Sequence, residues 1–207
     1  MISDEITFKH SNIEVKIDIN IYPGNSRFFL VLTGLGGDVS GFDSKYEKIA
    51  NSVNTDYGCT VLVASTPELS WMHSEDNFKH IMEYISGFAL ENGFYDYDIS
   101  IFANSAGATF AVWYSYQYIQ VKRLLLVNSV LNADVNKLKE GLKNFDGESV
   151  IFIFGEFDES MYYLPLLDDV NPLAEVFILD DVDHNFKDNV ELFIELPEKY
   201  LFSKFWF

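Results

Sequence analysis

The chain has 207 residues, 48% of them hydrophobic, with 32 acidic against 14 basic side chains, a net charge of −18 and a sequence pI near 4.4. That length and apolar content suit one domain with a good-sized core. The acidic surplus argues against nucleic acid and anionic membranes as partners, because phosphate binding needs clustered Lys and Arg, and no apolar run approaches the ~20 residues that span a bilayer.

Met1 to Glu5 shows neither the basic nor the apolar region of a signal peptide. Cys59 is the single cysteine and has no internal disulfide partner; its place at the start of a strand makes it a small buried hydrophobe. Together these features set the expectation of a reducing, cytoplasmic location.

Ile6–His10 and Ile13–Ile19 alternate apolar and polar residues around Ser11-Asn12, as a half-exposed antiparallel hairpin does. Tyr22 to Asn25 reads as a turn. Arg27 to Thr33 is almost continuously apolar and suits a strand buried on both faces. Gly34-Leu35-Gly36-Gly37 follows, with three glycines in four positions. A phosphate loop would want the Walker lysine or a third spaced glycine, and Val39 stands where that glycine would be. The competing readings are a loop that donates a backbone N–H to a developing oxyanion, or a plain loop.

Ser44–Val53 has helical spacing, with Asp43 as its N-cap. Cys59–Ala64 is a buried strand that leads into Trp71, Met72 and His73. Asn77–Leu90 is a helix ended by Asn92-Gly93. A β-branched and aromatic run opening at Tyr97-Asp98-Ile99 is the next strand, and Thr109–Tyr118 suits a packed helix. Val121–Val127 is a strand, and Val135–Leu142 holds a short helix within a segment, 128–148, read as a short cap or loop insertion. Val150–Phe154 and Val176–Leu179 are the last strands. A helical turn lies at Met161–Leu167. Asn189–Tyr200 closes the chain as a helix that Pro197 is placed to end early, and the aromatic tail Phe202, Phe205, Trp206 and Phe207 packs back on the body. One hairpin followed by strictly alternating strand and helix implies a single α/β domain over 1–207, a mostly parallel sheet with antiparallel strands at its N-terminal side.

Ser105 sits between strand and helix in Ala103-Asn104-Ser105-Ala106-Gly107, a small-x-Ser-x-small pattern. Bulkier side chains at Ala103 and Gly107 would collide with the backbone in so tight a turn, which would hold Ser105 at strained dihedrals with its hydroxyl exposed. A serine needs a base, and the base needs an acid. Of four histidines, only His184 follows the last strand at its carboxyl end, where functional loops of parallel sheets gather. Asp158 ends the turn Gly155-Glu156-Phe157-Asp158 and is the favoured acid, with Glu156, Glu159, Asp180, Asp181 and Asp183 as rivals. His73 and His80 stand seven apart with no further His or Cys near them in sequence, so no metal site and no cofactor is expected.

The order Ser105, Asp158, His184 resembles that of the serine α/β-hydrolase superfamily. Gly155 to Asp158 is similar to its G-x-x-D acid turn, Asp183-His184-Asn185-Phe186 to its D-H-x-F loop, and Thr33 to Gly37 to its H-G-x-G-G oxyanion loop. Ala103 stands where the family has Gly, and Thr33 where it has His. The resemblance covers Arg27 to the C-terminal helix. It implies an α/β-hydrolase sandwich, a carboxylesterase-like activity on a small-molecule acyl substrate, and an oxyanion hole formed by the N–H groups of Leu35 and Ala106. Gly34, Gly36, Trp71 and Met72 would then border the substrate, with Phe157, Asn128 and Leu131 as further candidates for the pocket. Thioesterase, acyltransferase, peptidase and glycan deacetylase chemistry fit the same triad, and a non-catalytic ligand-binding member of the fold is the reading from another class. Nothing in the sequence bears on oligomeric state.

Overall fold

The computed structural model describes residues 1–168 and 170–203. Eight strands form one sheet in the order β1-β2-β4-β3-β5-β6-β7-β8. β1 (Ile2–His10) and β2 (Ile13–Tyr22) make the antiparallel hairpin, with His10 opposite Ile13. β2 also runs antiparallel to β4 (Cys59–Ala64), and every other pairing is parallel. β3 (Asn25–Leu32) lies between β4 and β5 (Asp98–Asn104), so the chain reverses its direction of travel across the sheet at this point. The carboxyl ends of β3 and β5 therefore border the crevice that such a reversal leaves open.

The central strands read as apolar runs because both faces are covered. Phe28, Leu30 and Leu32 enter one core, while Phe29 and Val31 enter the other. On the first side, α3 (Ala106–Tyr114) lies between α2 (Ser74–Glu91) and α4 (Val135–Asn144). Every residue of α3 is buried, which explains a helix sequence without a polar face. On the second side, α1 (Lys45–Tyr57) packs beside α5 (Val190–Pro197). β6 (Val121–Val127), β7 (Ser149–Gly155) and β8 (Ala174–Leu179) complete the sheet.

Several local expectations are corrected. Asp43 does not cap α1: Asp43 and Ser44 both adopt left-handed φ, 54° and 53°, and the Asp43 carboxylate instead pairs with Lys48 Nζ at 2.8 Å. Within 128–148, only the loop 128–134 lies at the sheet's carboxyl edge. α4 is the crossover helix to β7, packed so closely on α3 that a Cβ at Gly141 would overlap the Val112 carbonyl. Asp134 caps it, its Oδ1 accepting from Asn136 N–H at 3.0 Å and Lys137 N–H at 3.1 Å. The helical turn begins two residues early, as a 3-10 helix over Glu159–Leu167. α5 ends at Pro197, and the chain continues beyond it through a π turn over Glu198–Phe202. Phe202 is buried against Phe29 and Tyr57, and Phe205, Trp206 and Phe207 lie outside the described residues. His10 reaches across from the hairpin, lies against His73 with ring centroids 3.9 Å apart and the rings tilted at 36°, and pairs with Asp76. Among the described residues, no group of three or more His, Cys, Asp or Glu side chains is placed to hold a metal ion, and no helix is long and apolar enough to cross a membrane.

Candidate active site

β5 ends in a sharp turn because α3 starts hard against the sheet. A Cβ at Gly107 would overlap the Thr33 and Leu32 carbonyl oxygens, so only glycine lets α3 approach β3 this closely. Ser105 makes the turn at φ 53°, ψ −118°, a conformation L-residues adopt only when their surroundings hold them there. Its N–H donates to Val127 O at 2.8 Å, and its carbonyl accepts from Thr109 N–H at 3.0 Å. These bonds fix the backbone from the neighbouring strand and from the helix, and leave the side chain at the sheet edge.

Ser105 Oγ lies 3.0 Å from His184 Nε2. On the other side of the ring, His184 Nδ1 is bonded to Asp158 Oδ2. A carboxylate can only accept, so Nδ1 carries the proton and Nε2 is free to accept from the serine hydroxyl. Asp158 is buried, while His184 is partly open to solvent. Burial alone would raise the Asp158 carboxyl, but the bonds from His184 and from Ser160 N–H at 2.6 Å prevail and hold it below the usual carboxylate range. Of the rival acids, Glu156 accepts from Asp181 N–H at 3.1 Å, and Asp183 accepts from Asn185 and Lys187 N–H; none of these contacts is to the imidazole.

The acid turn and the histidine loop are stapled together. Glu156 N–H donates to Leu179 O at 2.9 Å and Phe157 N–H to Val182 O at 3.0 Å. A Cβ at Gly155 would overlap the Val182 carbonyl, so this close approach needs a glycine. Val182 and Phe186 flank His184 and are fully buried, which turns the intervening residues outward. Asn128, expected to shape the pocket, has another place. It is buried at a left-handed φ of 48°, its Nδ2 donates to His184 O at 2.8 Å, and its Oδ1 accepts from Gly155 N–H at 2.9 Å. Leu131 is likewise a core residue.

The glycine loop lies against Ser105: a Cβ at Gly34 would come within 3.4 Å of Ser105 Cβ. Gly36 N–H is taken by Thr66 O at 2.7 Å and Gly37 N–H by Gly34 O at 2.9 Å. The Gly34 N–H and the Asn104 side chain meet the buried Tyr46 hydroxyl, and burial pushes that phenol up to about 12 despite these two hydrogen bonds. Leu35 N–H and, at the first position of α3, Ala106 N–H have no protein acceptor among the described residues. Thr33 is fully buried. Its Oγ1 accepts from Thr66 N–H at 2.9 Å and donates to Gly37 O at 3.0 Å, while its own carbonyl accepts from Thr66 Oγ1 at 2.7 Å. The loop is thus pinned to the segment that follows β4.

Trp71 packs edge-on against Phe110 and Trp113, and Met72 is 69% exposed. Neither lines the open groove of about 1040 Å³ beside His184, whose walls include Phe157, Tyr162, Tyr163, Glu156, Glu159 and Asp183. Cys59 is buried at the amino end of its strand, away from these groups, with its thiol pushed up to about 11 by desolvation.

No protein-family model and no curated protein matches the sequence. Solved structures do resemble it in fold. Est1E from Butyrivibrio proteoclasticus superposes with a TM-score of 0.70 at 10% identity, over 96% of this chain and 98% of that one. An alpha-beta serine hydrolase homologue from Coxiella burnetii gives 0.68 at 11% identity, over 96% and 97%. The thioesterase domain from the curacin biosynthetic pathway gives 0.66 at 11%, over 95% and 99%. The eight-stranded, mostly parallel sheet with its N-terminal hairpin is the α/β-hydrolase fold.

Proposed function

We propose that this chain of α/β-hydrolase fold is a serine hydrolase that cleaves carboxylic esters through an acyl-enzyme. The observation that carries the reading is the continuous relay from Ser105 Oγ through His184 to the buried Asp158 carboxylate. In the first step His184 Nε2 takes the hydroxyl proton as Ser105 Oγ bonds to the ester carbonyl carbon, and the carbonyl electron pair moves onto oxygen. The N–H groups of Leu35 and Ala106 receive that oxyanion. When the tetrahedral intermediate collapses, the bond to the alkoxy oxygen breaks and His184 returns the proton to the leaving alcohol. Water then repeats the sequence on the acyl-Ser105 ester and releases the acid. Asp158 holds the tautomer throughout and stabilises the imidazolium.

Labelling with a fluorophosphonate, read by intact mass, tests this without knowledge of the substrate. The expected result is one adduct on the wild type and none on Ser105→Ala. A well-folded wild type that takes no adduct would sink the reading and leave a non-catalytic ligand-binding protein of the same fold. The thioesterase among the fold neighbours makes a thioester panel the natural companion to the ester panel.

A further inference from the structure

The ester-cleaving reading has a geometric consequence for the groove beside His184, and the inference below rests on that reading. The oxyanion faces Leu35 and Ala106, and the leaving oxygen must come within about 3 Å of His184 Nε2 to receive its proton. The leaving group therefore departs on the imidazole side, and the groove on that side shares His184 and Asp158 with the relay. Three large aromatic side chains stand in water there. Phe157 is 63% exposed and Tyr162 is 85% exposed, with Tyr163 beside them. Aromatic faces gathered in the open at one place on a surface mark a contact site. The charges around them have one sign: Glu156, Glu159 and Asp183 line the groove, and no Lys or Arg does so among the described residues. The shared His184 and Asp158 set this groove next to the relay, and the carboxylates bear only on which charge it tolerates.

We propose that the groove is the leaving-group subsite and that it takes a bulky neutral or cationic alcohol stacked on Phe157 and Tyr162, while rejecting alcohols that carry a phosphate or another anion. Coulomb repulsion from two or three partly solvated carboxylates several ångströms away amounts to about a tenfold penalty on an anionic leaving group at low salt. Cations gain from the same field and from the ring faces.

Three acetate esters of matched size test this on the wild-type protein: acetylcholine, its neutral isostere 3,3-dimethylbutyl acetate, and an acetylated alkanol of similar length bearing a terminal phosphate. At low ionic strength, kcat/KM for the phosphate ester should fall about tenfold or more below that of the neutral ester, with the cationic ester at or above the neutral one. Salt should close these gaps, because screening shortens the reach of the carboxylates. Replacing Glu156→Gln together with Glu159→Gln should bring the phosphate ester back toward the neutral one. Separately, Tyr162→Ser with Phe157→Ser should lower the ratio of dimethylbutyl to ethyl acetate turnover several-fold. Equal turnover of the anionic and neutral esters at low salt would overturn the charge selection, and an unchanged dimethylbutyl-to-ethyl ratio would overturn the stacking role. In either case a fluorophosphonate adduct on Ser105 would leave the underlying reading intact. Absence of both adduct and ester turnover would instead remove that reading and this one with it.

Discussion

Asn128 shows how much of a relay can depend on one uncharged amide. Its partners Gly155 and His184 lie 27 and 56 positions away in the chain, one leading into the acid turn and the other carrying the imidazole. Removing the amide leaves a buried N–H and a carbonyl without partners, which costs about 1–3 kcal/mol, and alanine at the left-handed φ of 48° adds roughly 1–2 kcal/mol of backbone strain. We expect Asn128→Ala to lower the midpoint of urea unfolding and, because a shift of ~1 Å in a reacting group costs about 10²-fold, to lower kcat far more than it changes KM. Asn128→Gly relieves the strain but not the lost bonds, so it should recover only part of the stability and none of the kcat; full activity in either variant would show that His184 is held by its own loop. Asp158→Asn is a harsher change, because an amide presents the wrong donor to Nδ1, and turnover of an activated ester should fall roughly 10⁴-fold, as in the serine-protease template. The convergence of Ser105, Asp158 and His184 is legible in the sequence because each follows a strand of a parallel sheet, and strand ends share one edge. Asn128 also follows a strand, yet its role depends on which groups face it from two distant loops, and no local pattern of residues records that.

Elements were legible in proportion to how fully the sheet buries them. Cys59–Ala64 is apolar but for Thr60, and Leu124–Val127 is an unbroken apolar run after Lys122 and Arg123, so both strands read as buried. β8, at the sheet's edge, is half exposed and carries Glu175, so its first residues do not read as a buried strand. Pro197 marks the end of the α-helical stretch, while the wider π turn that follows it has no signal in the residue pattern. The glycine loop and α3 depend on close approaches that sequence records only as small residues. Gly107→Ala would drive a Cβ into the carbonyls at the end of β3, and overpacking of this kind costs about 1–3 kcal/mol. If the elbow is as tightly fitted as these contacts imply, the variant loses stability in urea and its fluorophosphonate acylation slows, whereas wild-type acylation would mean that α3 can shift without moving Ser105. Thr33→Val keeps the shape but removes the hydroxyl that ties Thr66 to Gly37. The backbone bonds between Gly36, Gly37 and Thr66 remain, so Leu35 N–H should loosen rather than leave, and kcat should fall by up to the roughly 10²–10³-fold that losing one oxyanion donor costs. A Thr33→Val enzyme with unaltered kcat would show that those backbone bonds suffice to hold the donor.

The molecule as a whole carries −18, so its surface charges repel one another at neutral pH. Raising salt from about 0.1 M to 1 M cuts the Debye length from ~10 Å to ~3 Å, and the thermal midpoint at pH 7.5 should rise accordingly. Asp158 sets a pH trend at the acid end. Its carboxyl is depressed in the folded state relative to an unfolded value of about 3.9, so its contribution is fully present above that value and is lost as pH falls through the folded one. The Asp158→Asn variant isolates this contribution, because it keeps the rest of the surface charge and lacks the titrating carboxyl. The stability difference between wild type and variant should stay flat from about pH 8 to pH 5 and shrink below about pH 4, where the unfolded chain begins to bind the proton that the folded chain refuses. If that difference instead shrank at neutral pH, some other group would be titrating with the relay. The stapled loops around His184, rather than the Asp158 carboxylate, would then have to supply the stability assigned to this pair.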